Sequence, residues 1–340
     1  GQPAGWKGEV ENVDGISHVI TQSFAHGEAT ISLEKEFSAS LEDTDHFFEQ
    51  IVNIDVDNKG NIYVLDRGAC NIKVLSPGGE LKQVISRKGR GPGELNQPLG
   101  IGISPGDNVY VSQSFPSALI CWNEKGDFLR DIKFENLNMV TTFVCLEKEQ
   151  FLAQSMNMNV EEGKLIMVTS ISKLDSLGKE LSEMYSSSVE RDMSSRTYDE
   201  DGQQLISSWA MDQKQQVYVA QNNRDYTIRV LGPDGSLERV IRKDYQLVKR
   251  SEEKKQEMRD RVTEITAVAK TEVDYTSSDT EPAITDPTID SSTRLWVESN
   301  ESDYEDSTVW HLFSEEGYQT GKAVIEGVTA GGVTVKKGRL

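Results

Sequence analysis

The sequence predicts an all-β fold made of one small sheet that is repeated, and three observations lead to this prediction. Short apolar runs alternate with glycine-bearing turns along most of the 340 residues. A template that begins with Tyr-Val or a similar pair returns at a spacing of about 40–50 residues, as the blades of a β-propeller do. Its turns contain Gly-Gly, Lys-Gly or Asp-Gly pairs, which suit tight connections between antiparallel strands. Together these features favour a β-propeller.

Five copies of the template can be placed on the chain, and each has central strands, a turn and an outer strand. The copies occupy residues 61–85, 108–132, 150–178, 216–241 and 294–318, of which the third is the weakest match. A single blade cannot bury both of its faces, whereas blades packed radially can do so. Residues 333–340 resemble the segment that leads into the first copy, so we interpret them as the start of a sixth copy.

The two chain ends are expected to complete the ring of blades. Residues 8–35 are predicted as N-terminal closing strands, with a hairpin that turns at Asp14-Gly15 and supplies the outer strands of the last blade. The sixth blade would then lack at least one strand at Leu340, either because the chain is truncated there or because the ring closes imperfectly. The whole chain, 1–340, is predicted to be one propeller domain, since propellers use this length as a single unit.

The insert between the fourth and fifth copies, residues 243–281, is predicted to be partly helical. A helix is expected from 251 to 265, because Ser251 suits the N-cap position and two glutamates follow it at the positive end of the helix. Its apolar stripe consists of Met258, Val262 and Ile265. We expect this helix to be a lid on the propeller rim. The basic pairs at 249–250 and 254–255 stand among glutamates and are interpreted as a solvated helix face.

The composition excludes several classes of partner. The net charge is −20 and the isoelectric point is about 4.7, which argues against nucleic acid and anionic membranes, because both require basic patches. No apolar run reaches the roughly 18 residues that a transmembrane segment needs. The three cysteines show no metal-like spacing.

The longest insertions are predicted to share one face of the propeller. Connections between blades and loops between second and third strands emerge on the same side, and the segments 186–204, 243–281 and 299–307 are of these kinds. Elaboration on one face is typical of a binding face. Asp66, at a strand end on this face, is expected to hydrogen-bond the loop backbone. The candidate ligand-binding residues, chosen by position on the insert-bearing face, are Arg67, Gln113, Gln221, Asn222 and Glu298.

A glycine-rich segment carries the resemblance to a known family. Residues 89–95 read Gly-Arg-Gly-Pro-Gly-Glu-Leu, with Pro98 after them, and they resemble an NHL-type repeat. Pro92 removes a backbone N–H that a phosphate loop would use, so we interpret the segment as a structural turn. Over most of its length, including Trp6-Lys7-Gly8 and Leu295-Trp296-Val297, the chain resembles the bacterial six-bladed β-propeller family. This resemblance implies six blades and an exported or lipid-anchored, extracytoplasmic protein; few family members have an assigned activity.

Two functions from different classes remain open. The preferred one is a non-catalytic propeller that binds a protein or a small-molecule ligand on its insert-bearing face. The alternative, suggested by related propellers, is a lactonase-like metal-dependent hydrolase or lyase with a divalent ion held by carboxylates at the central channel.

The sequence singles out no catalytic set and names no cofactor. The acidic runs at 199–201 and 301–306 offer the oxygen ligands that Ca²⁺ takes, but neither fits an EF-hand, and we interpret both as solvated loops. The four histidines are not expected to converge on a zinc site. They are His18, His26, His46 and His311.

Overall fold

The structure is a computed structural model, and its secondary structure is almost entirely β. It describes residues 2–24, 28–31, 37, 39, 46–134, 137, 139–192, 194–195, 197–202, 206, 208–221, 224–269, 273–285, 287–290, 292–301 and 307–326. The chain divides into two compact units, which are described separately here. One unit consists of residues 1–33, 160–166 and 187–340, and the other of residues 34–159 and 167–186. The single-domain prediction for 1–340 stays a prediction.

The described residues form twenty-five strands, one α-helix and two short 3-10 turns at Glu147–Glu149 and Glu200–Gly202. The strands are β1 (Lys7–Val13), β2 (Ile16–Ser23), β3 (Glu28–Ile31), β4 (Ile51–Val56), β5 (Ile62–Asp66), β6 (Asn71–Leu75), β7 (Leu81–Ile85), β8 (Pro98–Ile103), β9 (Val109–Ser114), β10 (Ser117–Trp122), β11 (Phe128–Lys133), β12 (Met139–Cys145), β13 (Phe151–Glu161), β14 (Lys164–Leu174), β15 (Glu180–Asp192), β16 (Thr197–Asp199), β17 (Ser208–Met211), β18 (Val217–Ala220), β19 (Thr227–Leu231), β20 (Leu237–Lys243), β21 (Asp274–Thr276), β22 (Pro287–Ile289), β23 (Leu295–Ser299), β24 (Ser307–Phe313) and β25 (Gln319–Glu326). The helix is α1 (Glu252–Ala269).

Each of the five predicted copies forms a sheet of four strands that follow one another in chain order. The five sheets are β4-β5-β6-β7, β8-β9-β10-β11, β12-β13-β14-β15, β17-β18-β19-β20 and β22-β23-β24-β25. This arrangement confirms the predicted all-β repeat. It also adds the first strand of each sheet, which the sequence template captured only in part. The predicted sixth copy, 333–340, lies outside the described residues.

The turn between the third and fourth strands is built in the same way in all five sheets. A glycine with φ between 80° and 90° stands at the same place in every turn, and its N–H donates to the carbonyl three residues earlier. A left-handed backbone at this point is easy only for glycine, so the residue type dictates the turn. The five glycines are Gly79, Gly126, Gly178, Gly235 and Gly317.

The turn between the first and second strands is held by an aspartate in three of the five sheets. In the first sheet, Asp57 Oδ1 accepts hydrogen bonds from the backbone N–H groups of Lys59 and Asn61, both at 2.8 Å. Asp212 and Asp290 hold the equivalent turns in the fourth and fifth sheets. The aromatic residue six positions further on also reaches the aspartate in each case, and these residues are Tyr63, Tyr218 and Trp296.

The core lies between neighbouring sheets within each unit. In the unit with the first three sheets, one cluster of buried side chains runs from Tyr63 to Trp122, and another contains Leu119, Phe143 and Phe151. In the other unit, a cluster between the fourth and fifth sheets contains Tyr218, Tyr226 and Phe313, among others. The central strands are buried on both faces, which explains why they are continuously apolar rather than strictly alternating.

The N-terminal hairpin forms as predicted, but its place differs from the prediction. β1 and β2 pair in antiparallel fashion around the turn at Asp14-Gly15. β2 then pairs in parallel with β20, so the hairpin extends the fourth sheet instead of the last blade. Only β3 joins the fifth sheet, through a parallel pairing with β25. The sequence could not distinguish these outcomes, because the exposed edge of either outer strand can accept another strand.

Candidate functional site

The structure distributes the predicted ligand-binding residues over both units. Arg67 and Gln113 lie in the unit that contains the first three sheets, and Gln221 and Glu298 lie in the other. Asn222 lies outside the described residues. Within each unit the predicted residues stand at or beside the ends of second strands, where the loops to the third strands begin.

Gln113 has a structural task in the second sheet. Its side chain is buried, its Oε1 accepts a hydrogen bond from the backbone N–H of Asn96, and its Nε2 donates to the carbonyl of Pro116. Asp66 has the same role in the first sheet, where its carboxylate accepts hydrogen bonds from the backbone N–H groups of Glu49 and Gln50 at 2.8 and 2.9 Å. The predicted role of Asp66 as a backbone anchor is therefore confirmed.

The other predicted residues differ in exposure. Arg67 is exposed, and its backbone N–H donates to the carbonyl of Gln50. Gln221 is half-buried and accepts a hydrogen bond from Arg229. Glu298 is buried in β23, and its backbone carbonyl accepts the N–H of Thr285. Gln221 and Glu298 both lie at the end of their unit where the long inserts leave the sheets.

The two long inserts meet at one carboxylate, Glu200. Its Oε2 accepts hydrogen bonds from Arg250 Nη1 at 2.7 Å, Tyr275 Oη at 2.7 Å and the backbone N–H of Ser278 at 3.0 Å. Its Oε1 accepts from Arg250 Nη2 and Arg224 Nη2, both at 3.0 Å. We call Glu200, Arg224, Arg250, Tyr275 and Ser278 the insert junction.

The insert junction changes the protonation behaviour of its carboxylate. Burial alone would raise the pKa of Glu200, but the hydrogen bonds from Arg250 and Tyr275 outweigh burial and lower this pKa to about 2. Arg250 itself is only 5% exposed and also donates to Glu281 through Nε. Such a buried guanidinium is stable only because carboxylates surround it.

Secondary structure strengthens the connection between the inserts. β16, from the first insert, pairs in parallel with β21, from the second, and the rings of Tyr198 and Tyr275 lie 5.8 Å apart in this small sheet. This small sheet of β16 and β21 ends beside Glu200, so the insert junction lies at the end of a regular secondary-structure element.

The predicted helical insert is confirmed, with α1 starting at Glu252. The Ser251 hydroxyl accepts the N–H of Lys254 at 3.2 Å, so Ser251 is the N-cap as expected. Met258 and Val262 are half-buried, whereas the burial of Ile265 lies outside the described residues. The basic pairs are not a purely solvated face, because Arg250 is buried in the junction and Lys255 is buried with its ammonium on Asp279 at 2.6 Å.

A second buried network lies between the fourth and fifth sheets of the same unit. His311 Nδ1 and Tyr226 Oη are 2.8 Å apart, and His311 Nε2 lies 2.7 Å from Glu301 Oε1. The other oxygen of Glu301 pairs with Lys322 Nζ at 2.6 Å. Because a carboxylate only accepts, the imidazole Nε2–H donates a hydrogen bond to Glu301, and Nδ1 accepts a hydrogen bond from the Tyr226 hydroxyl. We call Tyr226, His311, Glu301 and Lys322 the buried tetrad.

Burial sets the charges in the buried tetrad. The His311 side chain is 0% exposed, and desolvation lowers its pKa to about 4 despite the hydrogen bond to Glu301, so the ring is neutral at neutral pH. Burial would raise the pKa of Glu301, but His311 and Lys322 lower it to about 2. Lys243, at the end of β20, has a lowered pKa because it is partly desolvated and lies near Lys322, although Glu301 counteracts this.

Neither network is predicted from the sequence. The predictions of a solvated acidic loop at Glu200 and of a solvated helix face at Arg250 are wrong, because the two residues neutralise each other across two separate inserts. His311 gives one signal in the sequence, namely a histidine in an otherwise apolar run at 309–313. Among the described residues, no group of three or more His, Cys, Asp or Glu side chains could hold a metal ion. No described helix is long and apolar enough to cross a membrane.

Comparisons with known proteins place the chain among the propellers. The family model described as "6-bladed beta-propeller" matches residues 27–274. None of the curated proteins compared with the chain matches it significantly. Among solved structures, a "Putative exported protein" from Bacteroides fragilis NCTC 9343 is 13% identical, with a TM-score of 0.49 over 87% of this chain and 79% of that one.

Two further structures have similar scores. A member of the DUF4221 family from Bacteroides vulgatus ATCC 8482 is 11% identical, with a TM-score of 0.47 over 83% of this chain and 82% of that one. Virginiamycin B lyase from Staphylococcus aureus is 10% identical, with a TM-score of 0.44 over 82% of this chain and 70% of that one. At such identities these structures do not bear on the activity of the chain.

Proposed function

The chain belongs to the 6-bladed β-propeller family, and on that premise we propose that it is a non-catalytic binding protein. Its binding surface is the insert-bearing end of the fourth and fifth sheets, and its ligand is a protein segment or a small molecule. Propellers commonly use loops on one end of a rigid scaffold for recognition.

The insert junction is the observation that carries this proposal. Two insertions from separate inter-sheet connections, and the loop that holds Arg224, all converge on the carboxylate of Glu200. Loops that merely tolerate extra residues would not need five hydrogen bonds to one half-buried carboxylate. A surface made of loops in fixed positions loses less conformational entropy on binding, which favours affinity.

The buried tetrad lies in the same unit and helps to fix the residues of this surface. Tyr226 packs against Tyr245 with ring centroids 5.5 Å apart, and the Ser299 hydroxyl donates to Tyr245 Oη at 3.3 Å. Asn300 Nδ2 donates to the Pro282 carbonyl and to Thr285 Oγ1, which ties the residue after β23 to the segment between the second insert and β22. Gln221, Glu298 and Lys243 lie around this region and are the residues we propose to contact a ligand.

A thermal-shift screen tests the proposal. Purified protein is melted with a set of oligosaccharides, peptides and small carboxylic acids, and each compound that raises Tm is measured again with Gln221→Ala and Lys243→Ala. We expect the shift to shrink in these variants and to persist in Lys59→Ala, which alters an exposed ion pair at a turn of the first sheet. A shift that survives in both test variants would show that the ligand binds elsewhere.

The hydrolase or lyase alternative is separated by two measurements on the same preparation. Elemental analysis without added ions determines whether the protein holds a divalent ion, and lactone and ester substrates are assayed with Ca²⁺ or Zn²⁺ added. Turnover that depends on the added divalent ion would replace the binding proposal. We propose an extracytoplasmic location, which cell fractionation with an antibody against the protein tests. We also propose that the repeats are of the NHL type.

A further inference from the structure

The loop between the first and second sheets, residues 86–96, carries a dense run of cations that the binding proposal does not use. It contains Arg87, Lys88 and Arg90 within four positions of a chain whose net charge is −20. All three side chains are exposed. The loop belongs to the unit with the first three sheets, so its function can be tested independently of the insert junction.

This loop is held in one conformation by its own hydrogen bonds. Glu94 folds back, accepts the N–H of Gly91 at 2.8 Å and pairs with Arg87 at 2.8 Å. The backbone of Leu95 exchanges hydrogen bonds with Arg87 and Gly89, and the Asn96 side chain donates to the Phe115 carbonyl. A Cβ at position 89 would lie 1.9 Å from Glu94 Oε2, so glycine is required there for the carboxylate to fold back.

After Glu94 has neutralised Arg87, two cations of the loop remain without an acidic partner among the described residues. Lys88 and Arg90 form no ion pair with any residue that the structure describes. Arg90 lies over the ring of Phe115, with the guanidinium carbon 5.4 Å from the ring centroid. A stacked guanidinium keeps its N–H edges free for a carboxylate, because the ring contacts only its face.

The cations are flanked by exposed apolar side chains. Phe115 is 59% exposed, and Phe128, which is 37% exposed, lies against Gly93 on another side of the loop. An exposed phenylalanine beside an arginine is characteristic of protein interfaces, where aromatic residues and arginine are enriched. We call Lys88, Arg90, Phe115 and Phe128 the cationic patch.

We propose that the cationic patch binds an acidic polypeptide segment in which carboxylate side chains alternate with apolar ones. Its carboxylates would pair with Lys88 and Arg90, and its apolar side chains would cover Phe115 and Phe128. A long polyanion such as a sulfated glycan fits less well, because it would extend from a patch of two unpaired cations onto the surface of a strongly acidic protein.

Fluorescence anisotropy with two labelled synthetic peptides tests this proposal. One peptide alternates glutamate with leucine, and the other alternates glutamate with serine. We expect the Glu/Leu peptide to bind more tightly, and its affinity to fall as NaCl is raised. The double variant Lys88→Ala/Arg90→Ala should weaken binding by about three- to tenfold, as expected for the loss of two exposed charge contacts.

Matched variants decide the outcome. Phe115→Ala should weaken the binding of the Glu/Leu peptide and leave the binding of the Glu/Ser peptide unchanged. Lys179→Ala, an exposed lysine in the third-sheet turn of the same unit, should change neither. All substituted side chains are exposed, and far-UV circular dichroism confirms that the variants fold. Equal affinity of the double variant and the wild type, or an equal loss in Lys179→Ala, would overturn the proposal. Tighter binding of heparin through the same residues would also overturn it, since the patch would then recognise glycans.

Discussion

Arg250 and Glu200, which are fifty positions apart in sequence, form a bidentate ion pair between the two insertions. The Nη1–Oε2 distance is 2.7 Å and the Nη2–Oε1 distance is 3.0 Å. The pair is the centre of the insert junction. Planar guanidinium and planar carboxylate match in this geometry, which lysine could not reproduce. The connection therefore depends on these two residue types, and its removal should loosen both insertions together.

The first prediction concerns the stability that this pair provides. Glu200→Gln keeps the shape of the side chain but removes the charge that Arg224 and Arg250 face. We expect the unfolding free energy to fall by about 2–4 kcal/mol, because the buried guanidinium of Arg250 loses its bidentate carboxylate partner and keeps only Glu281 as a counter-charge. Urea unfolding monitored by tryptophan fluorescence measures this difference.

A matched control separates this effect from a general loss of acidic charge. Glu190 pairs with Lys164 on the surface, where both side chains are more than half exposed. Glu190→Gln should change the unfolding free energy by less than about 1 kcal/mol, since exposed pairs contribute little. Similar losses in both variants would contradict the central role of the insert junction.

The repeated sheets were predictable from sequence, and the insert junction was not. A glycine such as Gly79 or Gly317 marks its turn because no other residue adopts φ near 90° easily, so five turns could be located from local sequence alone. Glu200, Arg224 and Arg250 carry no local signal, because each is an ordinary charged residue in a polar segment. Their pairing depends on how separate loops meet in space, and one sequence does not contain that information.

The same distinction explains the N-terminal hairpin and the predicted ligand contacts. Asp14-Gly15 encodes a tight turn, so the hairpin was predicted correctly, but its attachment to β20 depends on two strand edges that are distant in sequence. Gln113 is a predicted ligand contact because it lies near the end of a second strand. The structure shows that its side chain holds the backbone of the segment that leads into the first strand of its sheet, as Asp66 does in the first sheet.

A second prediction concerns the buried pair of Asp66 and Lys73, whose side chains are almost completely inaccessible. Burial would raise the pKa of Asp66, but Lys73 and three backbone N–H groups lower it to about 2, so the carboxylate is charged. Asp66→Asn should lower the unfolding free energy by about 3–5 kcal/mol, because it leaves the Lys73 ammonium buried without a counter-charge. The double variant Asp66→Asn/Lys73→Met should recover part of this loss; a double variant that is less stable than Asp66→Asn would contradict the explanation.

The third prediction concerns the glycine turns. Gly317 has φ of +90°, and a Cβ at this position would lie 2.9 Å from Ile241 Cγ1. Gly317→Ala should therefore lower the unfolding free energy by about 1–2 kcal/mol. At Gly321, in the strand that follows, a Cβ would have no described atom within 4 Å. Gly321→Ala should change stability by less than about 0.5 kcal/mol, and equal effects at the two positions would show that the turn conformation is not the cause.

The last prediction concerns the dependence of stability on pH through His311. Its pKa is lowered from 6.5 to about 4 by burial, so the unfolded chain binds more protons than the folded chain between these values. The contribution of His311 to the free energy of unfolding should then be complete above pH 6.5 and should decrease as the pH falls towards 4. Glu200 and Glu301, whose pKa values are lowered from 4.5 to about 2, add a further loss only below pH 4.5. The two windows can therefore be separated experimentally.

Chemical denaturation at a series of pH values measures this effect in the wild type and in His311→Gln. Glutamine retains a donor and an acceptor for Glu301 and Tyr226 but does not titrate, so the variant should lose the slope between pH 6.5 and 4 even if it is less stable overall. The slope below pH 4.5 should remain, because the carboxylates are unchanged. A wild-type slope between pH 6.5 and 4 that persists in His311→Gln would assign the titration to another group.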